Sequence, residues 1–340
     1  FRRVLFRSDY GSVTPEELEV VRKAFAEKGI TLEACHFNSE DEIIAGCKGA
    51  QAILATGNPP ITRKVMEALP ELKYIQRFGI GVNSIDLDAA AELGKVVLNI
   101  PGFCAKELAD LANAMIMGLI RNTVYYDREI RKGNWPKCTY LLPLDIRELT
   151  LGLYGFGAAG QHLYKIFRGG YQMKVIACDP YLPDAVKAQF PDVTFVDFDT
   201  LVAESDVLSI HVGLTPETYH IFNEKTFHAM KNNALIINTA RGPIIDQKAL
   251  AAALKSGEIR GAGLDTVEVE PIEKDDPLLE LDNVILSAHC GSYGVGAKKT
   301  QIETVCTLIP KAVSEGRLPR RNVADKKVLD KEIGKIGRAH

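Results

Sequence analysis

Four separated stretches of this chain carry residue types that can do chemistry together. The first is Gly155-Phe156-Gly157-Ala158-Ala159-Gly160, set between an apolar run, Leu149 to Tyr154, and a helical-looking run, Gln161 to Gly169. In such a turn the first glycine permits the tight bend, the second lets the backbone approach a pyrophosphate, and the third lets helix and strand pack closely. The helix N-terminus then offers unpaired N–H groups and a positive dipole end to phosphate oxygens. Asp179 closes the next apolar run 19 residues after Gly160, where a carboxylate accepts hydrogen bonds from an adenosine ribose. No Arg follows it directly, so a 2′-phosphate would meet negative charge and NAD is favoured over NADP. An ordinary βαβ turn can carry the same glycines; strand, helix and spaced acid together favour the dinucleotide.

The other three stretches bear on the substrate, about which a nucleotide turn is silent. Asn238-Thr239-Ala240-Arg241-Gly242 places a guanidinium at the end of an apolar strand, the end at which such sheets bind ligands. Arg suits a planar carboxylate through two parallel hydrogen bonds. Gly261 to Pro271 brings Asp265 and Glu270 after another strand, and Ser287-Ala288-His289 follows the last one. A His and a Glu at neighbouring strand ends can form a proton-transfer pair, because a carboxylate beside an imidazole favours the imidazolium.

These positions need a scaffold of alternating strands and helices. Thr14-Pro15-Glu16-Glu17 reads as an N-cap, a proline at N1 and a capping-box acid, opening a helix whose apolar face is Leu18, Val21 and Phe25. A first strand is expected near residue 4, and further strands at Ala52–Ala55, Leu72–Gln76 and Val96–Ile100. Helices are expected at Asp41–Cys47, Thr62–Leu69 and Leu87–Leu93, which makes a covered parallel sheet. A long helix with a break should run from Ala105 to Arg131. Beyond the glycine turn, strands are expected at Thr194–Val196, Val207–Val212, Ala234–Thr239, Gly261–Asp265 and Val284–Ser287, then a helix from Gly296 to Glu315 and a basic exit, Arg317–Arg321. The fold class is therefore α/β: two Rossmann-like or flavodoxin-like domains with parallel sheets and a cleft between them. Residues 102–289 form the nucleotide domain; residues 9–101 together with 290–334 form a discontinuous substrate domain.

The chain has 340 residues, enough for two cores, and a formal net charge of −3, which gives no electrostatic pull toward nucleic acid or a membrane surface. Its seven cysteines are scattered with no C-x-x-C pair, so a zinc site or disulfide framework is not expected and a reducing, cytoplasmic setting is. No apolar run reaches the ~20 residues of a membrane span. Leu108 to Ile120, the most apolar helix, contains Asp110 and Asn113 and reads as a core helix. The ends, 1–8 and 335–340, look foreign. Ile336 to His340 can be coded ATC GGA AGA GCA CAC, whose reverse complement in a shifted frame reads Val-Leu-Phe-Arg, the sequence of Val4 to Arg7. Both ends are set aside as translations of one adapter.

Taken in order, Arg77-Phe78-Gly79-Ile80-Gly81 through Asp86, the glycine turn with Asp179, Thr239-Ala240-Arg241-Gly242, Asp265 through Glu270-Pro271, and His289 resemble the D-isomer-specific 2-hydroxyacid dehydrogenase family across nearly all of residues 9–325. The resemblance implies that Arg241 grips the substrate carboxylate and polarises its 2-carbonyl, that His289 is the general acid/base, and that Glu270 orients and charges it. It implies that the backbone of Ile80 and Gly81 binds the other side of the carboxylate. For the cofactor, NAD, it implies contacts from Gly155 to Gly160, Asp179, His211, Val212, Thr215, Thr239, Ala240 and Asp265, with no metal. The reaction implied is reversible hydride transfer between NAD(H) and a small 2-oxo or 2-hydroxy acid, in a homodimer with the helix after Pro101 as its contact.

Departures from the family pattern narrow this. Ala55 to Pro60 lacks the Arg that phosphoglycerate dehydrogenases carry there, which speaks against a phosphorylated substrate, although Arg77 can partly substitute. Glyoxylate and hydroxypyruvate are expected ahead of 3-phosphoglycerate. Ala288 stands where the family usually has Pro. A different reading is an NAD-sensing interaction protein, like the corepressors that share the fold and retain the Arg–Glu–His set.

Overall fold

The computed structural model describes residues 2–7, 13–137, 140–316 and 318–325. In chain order the regular elements begin with β1 (Arg2–Arg7), α1 (Pro15–Ala26), β2 (Ile30–Cys35), α2 (Glu40–Gly46), β3 (Ala52–Ala55), α3 (Arg63–Ala68), β4 (Tyr74–Arg77), α4 (Leu87–Glu92) and β5 (Val96–Leu98). They continue with α5 (Ala105–Ile120), α6 (Thr123–Arg131), β6 (Thr150–Tyr154), α7 (Ala158–Ile166), β7 (Lys174–Cys178), α8 (Asp184–Lys187), β8 (Val193–Phe195), α9 (Phe198–Glu204) and β9 (Val207–Ile210). The last are α10 (Glu224–Ala229), β10 (Leu235–Asn238), α11 (Gln247–Ser256), β11 (Gly261–Leu264), β12 (Val284–Leu286) and α12 (Val295–Glu315). None of the described helices is long and apolar enough to cross a membrane.

The chain divides into two compact units, 1–103 with 295–340, and 104–294. The second crossing therefore falls after Gly294 rather than at 289. Residues 290–294 stay with the second unit because the N–H groups of Cys290 and Gly291 are tied to Asp265. The adapter-like reading of Phe1, Ser8 and 335–340, and Arg317 of the basic exit, lie outside the described residues.

The first unit is a five-stranded sheet of order β2-β1-β3-β4-β5, all parallel. This 2-1-3-4-5 order is that of flavodoxin-like sheets. Successive strand residues point to opposite faces. Val4, Leu54 and Leu98 accordingly join one core with Phe25 and α12, while Leu5, Ile53 and Val97 join another with Ile43 and Val65. α1 starts as its sequence requires: Glu17 N–H donates to Thr14 Oγ1 at 3.2 Å and Thr14 N–H to Glu17 Oε2 at 2.8 Å, a capping box in which loss of the Thr costs about 1 kcal/mol. β2 has no counterpart among the strands read from sequence. It is an edge strand with Glu33 outward, and its interrupted apolar run, Ile-Thr-Leu-Glu-Ala-Cys, hides it.

The second unit has seven parallel strands in the order β12-β11-β10-β9-β6-β7-β8. The chain steps outward from β6 through β7 to β8, then resumes at β9 on the other side of β6. The switch lies between β6 and β9, the place where sheets of this kind bind nucleotides. β6, β9, β10 and β11 are buried along their length, as strands covered on both faces must be. Leu151, Val175 and Ile237 pack under α5 and α7; Ile176, Leu208 and Ile236 pack on the opposite face with Phe227 and Leu250. The expected break in the helix after Ala105 falls at Asn122, whose φ is 55°, a left-handed conformation that Asn tolerates. Its amide donates to Leu141 O at 2.6 Å.

Candidate active site and dinucleotide turn

The turn after β6 is built as a phosphate cradle. Gly155 has φ 92°, and a Cβ there would sit 2.8 Å from the His211 carbonyl. A Cβ at Gly160 would sit 2.5 Å from Gly155 O, whereas one at Gly157 would meet nothing within 4 Å. Two glycines are thus demanded by the protein's own packing, and the middle one faces open space at the N-terminus of α7. Asp179, at the end of β7, accepts Phe156 N–H on Oδ2 at 2.9 Å and Tyr181 N–H on Oδ1 at 3.1 Å. Ala158 and Ala159 open the helix. Across the switch, Thr239 is 4 % exposed and its hydroxyl has no partner among the described residues. These features fit a dinucleotide: open backbone for the pyrophosphate, an acid for the ribose, and a buried hydroxyl with a bond left to make.

His211 and Val212 lie beside this turn, but the His211 ring turns inward. Its Nε2 is 2.9 Å from Ser209 Oγ, and burial pushes the imidazole down to about 4. Thr215 is exposed and caps a short turn with Thr218.

Arg241, Glu270 and His289 gather in the second unit. Arg241 follows β10, and its Nη1 donates to Ala240 O at 2.6 Å. Burial lowers the guanidinium's pKa, opposed by the nearby Glu270 and Cys104. Glu270 Oε2 lies 2.7 Å from His289 Nδ1, both side chains remaining partly exposed. His289 has φ 51°, a conformation costly for a residue with a Cβ and concentrated at functional sites. Its backbone N–H donates to Asp265 O at 2.8 Å. A half-buried cation, a carboxylate and an imidazole meet here, the set needed to hold a carboxylate and move a proton. Ile80 and Gly81 belong to the first unit. Arg77 there donates through Nε to Gly81 O at 2.8 Å and through Nη1 to Ala55 O at 3.2 Å. It ties the loop down.

The sequence pattern of the D-isomer specific 2-hydroxyacid dehydrogenase NAD binding domain matches residues 113–291. A glyoxylate reductase of Korarchaeum cryptofilum is 34 % identical over 312 residues, covering 88 % of this chain and 93 % of that protein. The chain belongs to the D-isomer-specific 2-hydroxyacid dehydrogenase family. A hydroxypyruvate reductase of Thermotoga maritima is 37 % identical over 262 residues, 76 % of this chain and 84 % of that protein. The crystal structure of a glyoxylate reductase from Paecilomyes thermophila superposes with a TM-score of 0.84 at 28 % identity, over 96 % of this chain and 99 % of that one.

Two supports of this dehydrogenase site were not singled out from sequence. Asn238 is fully buried; its amide donates to Arg241 O at 2.9 Å and accepts Ala240 N–H at 3.0 Å. It shapes the turn that presents Arg241. Ser287 donates to Asp265 Oδ1 at 2.6 Å, while Cys290 and Gly291 donate N–H groups to the same carboxylate at 2.8 and 2.9 Å. Asp265, expected to hold the nicotinamide amide, is 2 % exposed and holds the turn that carries His289. An Asn or Ser at the end of an apolar strand was the available signal, and it is a common one. Among the described residues no group of three or more His, Cys, Asp and Glu side chains could hold a metal ion.

Proposed function

We propose that this NAD-dependent dehydrogenase reduces small, unphosphorylated 2-oxo acids, glyoxylate and hydroxypyruvate before 3-phosphohydroxypyruvate, the 2-oxo partner of 3-phosphoglycerate, and that Arg241, Glu270 and His289 carry the chemistry. The observation that supports it most is the 2.7 Å contact of His289 Nδ1 with Glu270 Oε2, near a half-buried Arg241. When bound, NADH supplies the hydride to the 2-oxo carbon. The rest falls to the chain. Arg241 pairs with the substrate carboxylate; its partial burial makes that pairing stronger than in bulk water. Protonated His289 donates a proton to the carbonyl oxygen as negative charge develops there. Glu270, bonded to the other ring nitrogen, fixes the tautomer and stabilises the imidazolium. In oxidation the neutral imidazole takes the hydroxyl proton.

Within the first unit, Ile80 and Gly81 would bind the carboxylate through backbone N–H groups, which no hydrogen bond engages among the described residues. Gly155 to Gly160, Asp179, Val212, Thr215, Thr239, Ala240 and Asp265 would line the NAD site, with His211 supporting the glycine turn. The reading also carries a cytoplasmic homodimer, which sedimentation would report as twice the chain mass. NADH oxidation followed with glyoxylate, hydroxypyruvate, pyruvate and 3-phosphohydroxypyruvate tests the assignment. Turnover of the first two is expected to exceed that of the phosphorylated acid. Tight NADH binding with no turnover of any acid would replace it with the NAD-sensing alternative.

A further inference from the structure

The loop after β11 carries a second glutamate two positions before Glu270, and it is held on several sides. Glu268 Oε1 lies 2.9 Å from His220 Nε2. Its Oε2 accepts the N–H of Gln247, the first residue of α11, at 3.3 Å, and its own N–H donates to Gln247 Oε1 at 2.8 Å. Each residue thus binds the other's backbone with its side chain, closing a ring. Gln247 Nε2 donates in turn to Asp276 Oδ2, which leaves its Oε1 committed to Glu268.

His220 is fixed as firmly. Its N–H donates to Pro243 O at 2.9 Å, its carbonyl accepts Asn223 Nδ2 at 2.9 Å, and its ring stacks on Tyr219 at 4.0 Å. Where the Arg241 turn passes the Glu270 loop, a Cβ on Gly242 would fall 1.8 Å from Val267 O and 2.6 Å from Glu268 N. The two backbones are in contact, and only glycine fits between them. Val267 N–H in turn donates to Glu270 Oε1 at 3.3 Å.

We propose that Glu268 is a positioning residue: its clamp on Gln247 and His220 sets the loop so that Glu270 reaches His289 in register with Arg241. This rests on the dehydrogenase reading above. Glu268 touches neither His289 nor the reacting atoms. The charged groups at His289 are Glu270 on its ring, Arg241 near Glu270, and Asp265 beneath its backbone; His220 and Asp276 belong to the clamp.

The test compares Glu268→Ala, Glu268→Gln and Gln247→Ala with the parent enzyme. The readouts are kcat and KM for glyoxylate, NADH affinity by fluorescence, the pH profile of reduction, and the His289 ring titration by NMR. Loosening the loop in Glu268→Ala should lower kcat about 10- to 100-fold with NADH affinity within about twofold, the scale of a misplaced catalytic group. The pH limb at which reduction is lost, and the ring titration with it, should move to lower pH. Glu268→Gln keeps an acceptor for Gln247 and a partner for His220 and should recover most of kcat. A folded Glu268→Ala whose kcat, pH limb and ring titration all match the parent overturns the proposal. Should that variant not fold, Gln247→Ala is read by the same criteria. If the parent turns over no 2-oxo acid, the functional reading falls while the ring titration still decides the clamp.

Discussion

One short loop, Asp265 to Glu270, sends a glutamate to each of two histidines, and the two pairs differ in setting. His289 and Glu270 expose 45 % and 38 % of their side chains, while His220 and Glu268 expose 26 % and 30 %. Both histidines have positive φ, 51° and 48°. The second pair is enmeshed with Gln247 and the backbone of Pro243; the first, among the described residues, has Glu270 on its ring and an accessible face. A third pair, His228 with Glu258 at 2.9 Å, leaves 87 % of the histidine side chain exposed. The residue types are the same in all three. What differs is how exposed each pair is and what else holds it, and the proposed roles follow that difference.

Substitutions along this series should give a graded result. His289→Asn should reduce kcat for glyoxylate about 100- to 10,000-fold, the usual worth of a general acid, with NADH affinity little changed; steady-state and binding measurements on one preparation check both. Glu270→Gln should cost less, roughly tenfold, the scale of a loosened catalytic group, and should move the pH above which reduction fails to a lower value. That direction follows because the carboxylate favours the imidazolium that donates the proton. An unmoved limb would make Glu270 an orienting group alone. His220→Asn should lower kcat about tenfold or less through the loop. His228→Asn should leave kcat unchanged and the melting temperature within about 2 °C, as expected of an exposed site. If His220→Asn behaves like His228→Asn, the second pair is surface decoration too.

A histidine whose ring meets a hydroxyl, and no acid among the described residues, sharpens the contrast. His211 has Ser209 on its ring, and burial depresses it from 6.5 to about 4. The unfolded chain takes up this proton near 6.5 and the folded protein only near 4, so between those values the unfolded state binds more protons and is favoured as pH falls. The stability contributed by neutral His211 is therefore intact above about 6.5 and lost toward 4. Melting curves of the parent and His211→Asn from about pH 7 to 4 should converge on acidification. Parallel curves would show that His211 does not contribute.

Most of the scaffold was legible because burial on both faces writes strands as unbroken apolar runs, as at Ala52–Ala55 and Leu235–Asn238. The fully buried strands have no surface to disguise them. β2 was missed for the converse reason: it is an edge strand with a mixed sequence. At the site, glycines and lone ionisable groups at strand ends stand out because nothing but a ligand or a close backbone contact calls for them there. At Arg77 the sequence reveals a guanidinium but not its bonds to the carbonyls of Gly81 and Ala55, which only the fold sets. Glu268 and Asn238 were overlooked because their partners, Gln247, His220 and the Arg241 backbone, become neighbours only on folding.

Asp179 has a consequence for anyone wishing to change the redox coenzyme this protein uses. Its carboxylate, besides standing where a ribose would be read, braces the backbone at Phe156 and Tyr181. Exchanging it for a small neutral side chain to admit a phosphorylated ribose would also remove a strut from the glycine-rich bend. A swap of preference at this residue therefore calls for a second substitution that restores an acceptor to Phe156.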